Sequence, residues 1–311
     1  MMLPLARTIE FWRRAADSDI FFSFTRSWLV MASAAITALF FLCAFGAGFI
    51  APHNPFDLAT LQLSDAFLPP AWEEGGTAKY LLGTDDQGRD ILSTIMYGSR
   101  TSLIVGFLAV AFAMVLGIGL GLVAGYAGGM ADSFIMRVAD VQLTFPAILI
   151  ALLVDGISRA LLGSQGHAEA QELVLIIAIG LSYWVQYART VRGSVLVEKS
   201  KEYVQAARVI GMPSALIALR HVLPNVMGPV MVIATINLAL AIITEATLSF
   251  LGVGLPPTEP SLGTMINTGQ QFLFSGEWWI TIFPGAALAI LVLAVNLLGD
   301  WLRDALNPKL R

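Results

Sequence analysis

Six long apolar stretches dominate the sequence and divide it into spans and loops. They cover residues 28–50, 102–126, 134–154, 173–188, 226–251 and 279–301. A helix needs roughly 20 apolar residues to cross the hydrocarbon core of a bilayer, and it satisfies its own backbone hydrogen bonds there. The pattern therefore predicts an all-α, polytopic membrane protein with six transmembrane helices. The alternating ten-residue segments that mark an outer-membrane barrel are not seen in the sequence.

The composition supports a membrane protein and excludes several other classes. Hydrophobic residues make up 57% of the 311 residues and charged residues 13%, whereas soluble domains are about half apolar and a quarter charged. The net charge of −4 provides no basic surface for nucleic acid. Cys43 is the single cysteine, so an intrachain disulfide is impossible.

Lysine and arginine residues predict the orientation, because cytoplasmic loops carry an excess of them. With the N-terminus in the cytoplasm, 14 of the 18 Lys and Arg residues lie on the cytoplasmic side. The outer side keeps Lys79, Arg89, Arg100 and Arg159. We therefore expect both termini in the cytoplasm, residues 1–27 as an N-terminal tail, and residues 28–311 as the transmembrane domain.

The predicted outer loop, residues 51–101, contains a cluster of charges between Asp85 and Asp90. A turn at Gly83 precedes the cluster, and an amphipathic helix with Ile91 and Ile95 on one side follows it. We expect a self-capped surface helix here. No metal site is expected, since the loop's only histidine, His53, is far from the acids.

The predicted inner loop, residues 192–225, is basic and has helical character over 195–209. Gly211 is expected to break this helix, with Pro213 completing a tight turn. Ser214 can cap a second helix that ends before Pro224. Two interpretations are open: a rigid helix-turn-helix that transmits a push from a partner, or an interfacial segment without a partner.

Polar and small residues inside the spans indicate how the helices pack. Glu245 and Asn237 are candidates for a water-filled path, and a helix–helix hydrogen bond is the alternative for Glu245. Asp140 is expected to pair with Arg137, and Pro146 to kink the third span. The second span has small residues at four-residue spacing, which predicts close packing within the chain or a seam between subunits. This stripe comprises Ala113, Gly117, Gly121 and Gly125.

The inner loop resembles the signature of permease subunits of ATP-binding-cassette importers. That signature is Glu-Ala-Ala, a glycine after three residues, and a later Leu-Pro pair. Here it reads Gln205-Ala206-Ala207, Gly211 and Leu223-Pro224, with Gln205 where the family has Glu. The segment 82–103, Pro69-Pro70-Ala71-Trp72 and the end around Gly299-Asp300-Trp301 resemble the second, C-type subunit of dipeptide and oligopeptide permeases.

The resemblance implies a function and a set of partners. It implies a bacterial inner-membrane permease that works with a homologous second permease, two ATPase subunits and a periplasmic or lipid-anchored binding protein. The implied ATPase-coupling residues are Glu202, Gln205, Ala206, Ala207, Gly211, Met212, Pro213, Leu223 and Pro224. The chain has no phosphate-binding loop of the G-x-x-x-x-G-K-[ST] type, so we expect no catalytic residue and no cofactor.

Other functions remain as alternatives. The same architecture imports nickel, opines and other small solutes. An ion-coupled secondary carrier would need ionisable residues at mid-membrane and inverted repeats, which are scarce here. A membrane enzyme could use Asp140 with Asp155, but these residues lie at opposite ends of one predicted span.

Overall fold

The structure is a computed structural model that describes residues 19–57, 61–256, 259 and 261–306. The first 18 residues of the predicted tail lie outside this part of the chain. The helices are α1 Asp19–Arg26, α2 Trp28–Phe45, α3 Ala47–Ile50, α4 Ile91–Ala127, α5 Gly129–Leu143, α6 Ala147–Gly163, α7 Glu169–Glu198, α8 Glu202–Val209, α9 Ser214–Ile217, α10 Leu223–Phe250, α11 Leu262–Gln270 and α12 Trp279–Leu306. One isolated β-bridge and no strand occur in the described ranges, so the all-α prediction is confirmed.

Five helical segments are long and apolar enough to cross a membrane. They are Trp28–Phe45, Ile91–Ala127, Glu169–Glu198, Ser214–Phe250 and Trp279–Ala305. The second begins at Ile91, so the amphipathic helix expected in the outer loop is the first part of this span. The third extends to Glu198, well beyond the predicted end of the apolar run at residue 188.

The span that contains α10 differs from the sequence prediction at its start. The second helix of the inner loop was predicted to end before Pro224, but it continues into the membrane span. A π-helical turn, Ala218–Val222, connects α9 to α10 directly before this proline. Because the π turn widens the helix, it accommodates a residue that has no backbone N–H to donate.

The stripe of small residues on α4 packs against α7. A Cβ atom added at Gly117 would lie 2.5 Å from the carbonyl oxygen of Trp184, and one at Gly125 would lie 2.8 Å from Cβ of Val195. Residue numbers rise together on the two helices, so α4 and α7 are parallel. The intrachain interpretation of the stripe is therefore confirmed, since only glycine allows this approach of the two backbones.

The third predicted span is broken rather than gently kinked. Its two halves, α5 and α6, meet at Pro146 with a bend of 99°. Their contacts nevertheless follow α7 from one end to the other in the opposite direction. These contacts are Asp132 with Arg192 and Ala147 with Ser182 on α7, and Asp155 with His167, two residues before α7 begins. Because α4 and α7 are parallel, the chain between them must return across the same thickness, and α5–α6 acts as the sixth span.

The charge cluster of the outer loop is buried, contrary to the surface helix that the sequence predicted. Residues 84–90 form a loop closed by a bridge between Thr84 and Asp90. Nε of Arg89 donates to Oδ2 of Asp85 at 2.6 Å, and both side chains are buried. The predicted cap is confirmed, because Asp90 accepts from the backbone N–H of Ser93 at the start of α4.

Candidate functional site

The elbow, residues 199–222, joins α7 to α10 and contains most of the predicted coupling residues. α8 ends at Val209, and the chain turns as predicted at Gly211, whose φ of +79° is a conformation that favours glycine. The N–H groups of Gly211 and Met212 close this end by donating to Arg208 and Ala207 carbonyls at 3.0 and 3.1 Å. Ser214 is the first residue of α9 and makes no side-chain cap, so the predicted cap was wrong.

The elbow has a packed interior of its own. Val204 and Ala207 on α8 are buried together with Ile217 and Val222 on the returning segment. The signature pair Leu223-Pro224 lies directly after the elbow, at the start of α10; Leu223 is half-buried and Pro224 is exposed. The packing therefore comes mainly from β-branched residues on α8, α9 and the π turn, whose spacing in the sequence gave no distinct signal.

The tip of the elbow, defined as Val209, Ile210, Gly211 and Pro213, is exposed. Val209 is 87% and Ile210 75% exposed, although both side chains are fully apolar. The signature residues Gln205 and Ala206 and the nearby Glu202 are exposed beside the tip. Met212 is half-buried, and Ala207 alone of the signature's Gln-Ala-Ala run faces the interior.

Gln205, which replaces the family's Glu, has a local hydrogen bond. Its Nε2 donates to the carbonyl oxygen of Ser200 at 3.0 Å. An ionised Glu side chain only accepts hydrogen bonds and could not make this contact. Gln205 therefore lacks the charge of a Glu side chain but makes a hydrogen bond that stabilises the start of α8.

Tyr203 connects three segments of the elbow and was missed in the sequence analysis. Its hydroxyl donates to Oε2 of Glu198, at the end of α7, at 2.6 Å. Nδ2 of Asn225, at the start of α10, donates to the same hydroxyl at 3.1 Å. Burial, followed by the hydrogen bond to Glu198, raises the pKa of Tyr203. A single tyrosine among polar residues gives no signal in a sequence, because its partners become neighbours only when α7 and α10 come together.

Glu245 lies near the C-terminal end of α10 and is 0% exposed. Its carboxylate accepts hydrogen bonds from Ser102 on α4 at 2.7 Å and from Ser249 at 2.8 Å. The N–H of Leu262, at the start of α11, donates to Ser102 at 3.4 Å. These contacts favour the helix–helix hydrogen bond over the water-filled path, since every oxygen of the group is occupied inside the protein.

Asn237 and Asp140 also have surroundings that differ from the simplest expectation. Asn237 is buried, and its side chain interacts with the hydroxyl of Tyr187 on α7. Asp140 pairs with Arg189 on α7, so the predicted pairing with Arg137 was wrong. The i, i+3 spacing was outweighed because α7 lies alongside α5 and brings an arginine to the same carboxylate.

Comparisons with known proteins agree with this architecture. The family model "Binding-protein-dependent transport system inner membrane component" matches residues 117–311, and "N-terminal TM domain of oligopeptide transport permease C" matches residues 10–70. A chain of the MetNI methionine ABC transporter in an inward-facing conformation superimposes with a TM-score of 0.53 at 20% identity. That match covers 69% of this chain and 96% of the other, and it shows the fold alone.

Relatives of known function are similar over most of the chain. The dipeptide transport system permease protein of Haemophilus influenzae is 40% identical over 89% of this chain and 91% of its own. The di/tripeptide permease protein of Pseudomonas aeruginosa is 39% identical over 88% and 86%, respectively. The glutathione permease protein of Pectobacterium atrosepticum is 38% identical over 97% and 91%. The six spans, the elbow and these matches all agree, and the chain belongs to the family of binding-protein-dependent transport system inner membrane components.

Proposed function

We propose that this chain is one of two permease subunits of an ATP-driven importer and forms half of the path for dipeptides or short oligopeptides. The observation that carries the proposal is the 40% identity, over 89% of the chain, to a permease named for dipeptide transport. The relative named for glutathione supports the same class of substrate, because glutathione is itself a short peptide.

The proposed transporter contains further subunits. Two ATPase subunits hydrolyse ATP, a homologous permease completes the path, and a periplasmic or lipid-anchored binding protein delivers the peptide. The chain lies in the bacterial inner membrane with both termini in the cytoplasm. The excess of Lys and Arg on that side supports this orientation. In this orientation the elbow would face the compartment that contains ATP.

The tip of the elbow is the proposed docking site for one ATPase. Val209 and Ile210 expose apolar surface on a segment outside the spans, where a partner would cover them. The packed interior below the tip, including Val204 and Ile217, makes α8 and α9 one rigid piece. Movement of the ATPase would then move the ends of α7 and α10 and change the side to which the path opens.

Uptake of a radiolabelled dipeptide tests the proposed substrate. Cells that lack this chain should take up little label, and cells that express it again should recover uptake. Depletion of ATP in cells with an intact proton gradient should abolish the recovered uptake. Uptake that follows the gradient and ignores ATP would indicate a secondary carrier instead.

Replacement of one exposed residue at the tip tests the docking site. Val209→Glu should strongly reduce co-purification of the ATPase subunits, because it puts a charge where the proposed complex would bury an apolar side chain. Met130→Glu is the matched control, since Met130 is 91% exposed at the start of α5 and is not one of the residues that define the tip. Equal amounts of ATPase with both variants would contradict the proposed docking site.

A further inference from the structure

The hydroxyl of Tyr203 joins the ends of two spans through the elbow. It donates to Glu198 at the end of α7, and Asn225 at the start of α10 donates to it. The carbonyl oxygen of His221 completes the group, because Nδ2 of Asn225 also donates to it at 2.7 Å. His221 lies in the π turn, and π turns are frequent at functional sites.

These hydrogen bonds differ in kind from the apolar packing beneath them. Val204 and Ala207 hold α8 against the returning segment by burial, which is favourable over a range of orientations. A hydrogen bond requires a defined distance and angle. The Tyr203 hydroxyl therefore fixes the orientation of α8 relative to both spans, whereas the packing alone would allow α8 to slide.

We propose that Tyr203 is a positioning residue that makes α7 and α10 respond together to a displacement of the tip. The inference rests on the proposed docking of an ATPase at the tip. Without the hydroxyl, α8 stays folded and keeps its docking surface, but a push on the tip is partly absorbed by rotation of α8. ATP hydrolysis then continues while fewer peptides cross for each ATP.

The test compares the assembled transporter in proteoliposomes with and without the hydroxyl. Tyr203→Phe should lower the ratio of peptide transported to ATP hydrolysed by about threefold, the scale of one net hydrogen bond. Co-purification of the ATPase should stay unchanged. Asn225→Ala should lower the ratio to a similar degree, and the double variant should be no worse than either single variant, because both act through one contact.

Tyr126→Phe is the matched control. The hydroxyl of Tyr126 is buried at the end of α4 and has no hydrogen-bond partner within the described residues. Its removal should leave the ratio unchanged, so a general effect of losing a tyrosine hydroxyl would be detected. Glu198→Gln, which keeps an oxygen that can accept from Tyr203, should retain most of the coupling.

Two results would overturn the inference. One is a normal ratio in Tyr203→Phe, and the other is a fully additive loss in the double variant with Asn225→Ala. If Tyr203→Phe does not assemble, Glu198→Ala removes the same hydrogen bond from the other side, with the same expected loss and the same contrary result. Failure of the docking site itself would appear separately, as normal ATPase co-purification with Val209→Glu.

Discussion

The contact between α4 and α7 predicts opposite effects for two glycines that are close in the sequence. A Cβ atom at Gly121 would lie 2.5 Å from the carbonyl oxygen of Ala188 and 2.9 Å from Cβ of Val191. At Gly119 a Cβ atom would have no neighbour within 4 Å. Gly121→Ala therefore forces the helices apart, whereas Gly119→Ala adds a methyl group in open space.

The size of the effect follows from the geometry. Ordinary contact requires about 3.4 Å, so the two backbones must separate by about 1 Å at Gly121, and such overpacking costs about 1–3 kcal/mol. Alanine recovers up to about 1 kcal/mol through its higher helix propensity. The free energy of unfolding of Gly121→Ala should therefore be about 1 kcal/mol or more below that of Gly119→Ala.

Thermal unfolding of the purified chain in detergent measures this difference. Gly121→Ala should unfold several degrees below Gly119→Ala, and Gly119→Ala should unfold at or slightly above the temperature of the parent chain. Both variants make the same chemical change on the same helix, so changes in expression or detergent binding should affect them alike. Equal unfolding temperatures would show that α4 and α7 do not meet at Gly121.

Three further predictions concern ionisable groups. Glu245→Leu should lower the unfolding temperature of the purified chain more than Glu245→Gln, because only Gln keeps an acceptor for the neighbouring hydroxyls; equal losses would argue against the hydrogen bonds. Asp140→Asn should cost less than about 1 kcal/mol and only at low salt, since its pair with Arg189 is exposed; a loss that persists in high salt would contradict this. Hydrogen bonds from Lys79, and then from Tyr80, lower the pKa of Asp65 from 3.8. The resulting stabilisation of the outer loop is present above pH 3.8 and is lost as the pH falls below that value. Protease cleavage of this loop should therefore increase below pH 3.8, and the increase should be smaller in Asp65→Asn. An identical acid profile in that variant would exclude this role.

The sequence was sufficient to predict the number of spans but not the residues at which they begin and end. Apolar length determines which segments can cross a bilayer, and each of the six predicted stretches corresponds to a helical crossing. Hydropathy cannot show where a helix continues outside the apolar run. α4 includes Arg100, which is exposed, and α7 includes Arg192, which is paired with Asp132.

Long-range partners account for the other differences between sequence and structure. The polarity of Glu245 marked it as unusual, but its partner Ser102 is 143 residues away in the chain. Pro146 predicted a bend, whereas the angle of 99° depends on how α5 and α6 each pack on α7. Local rules identify such residues but cannot supply the neighbour that determines their role.

The signature of the elbow can be explained by two different physical requirements. Ala207 must be small because it lies buried in the interior, and Gly211 must adopt a positive φ so that the chain can turn. Pro224 follows a π turn, which allows the helix to enter the membrane without a break. Ala206 has no such constraint from the chain itself, since it is exposed, and exposed Gln205 has only its hydrogen bond to Ser200. A family pattern that includes exposed small residues therefore implies a surface that another molecule must approach closely, as the proposed docking of an ATPase requires.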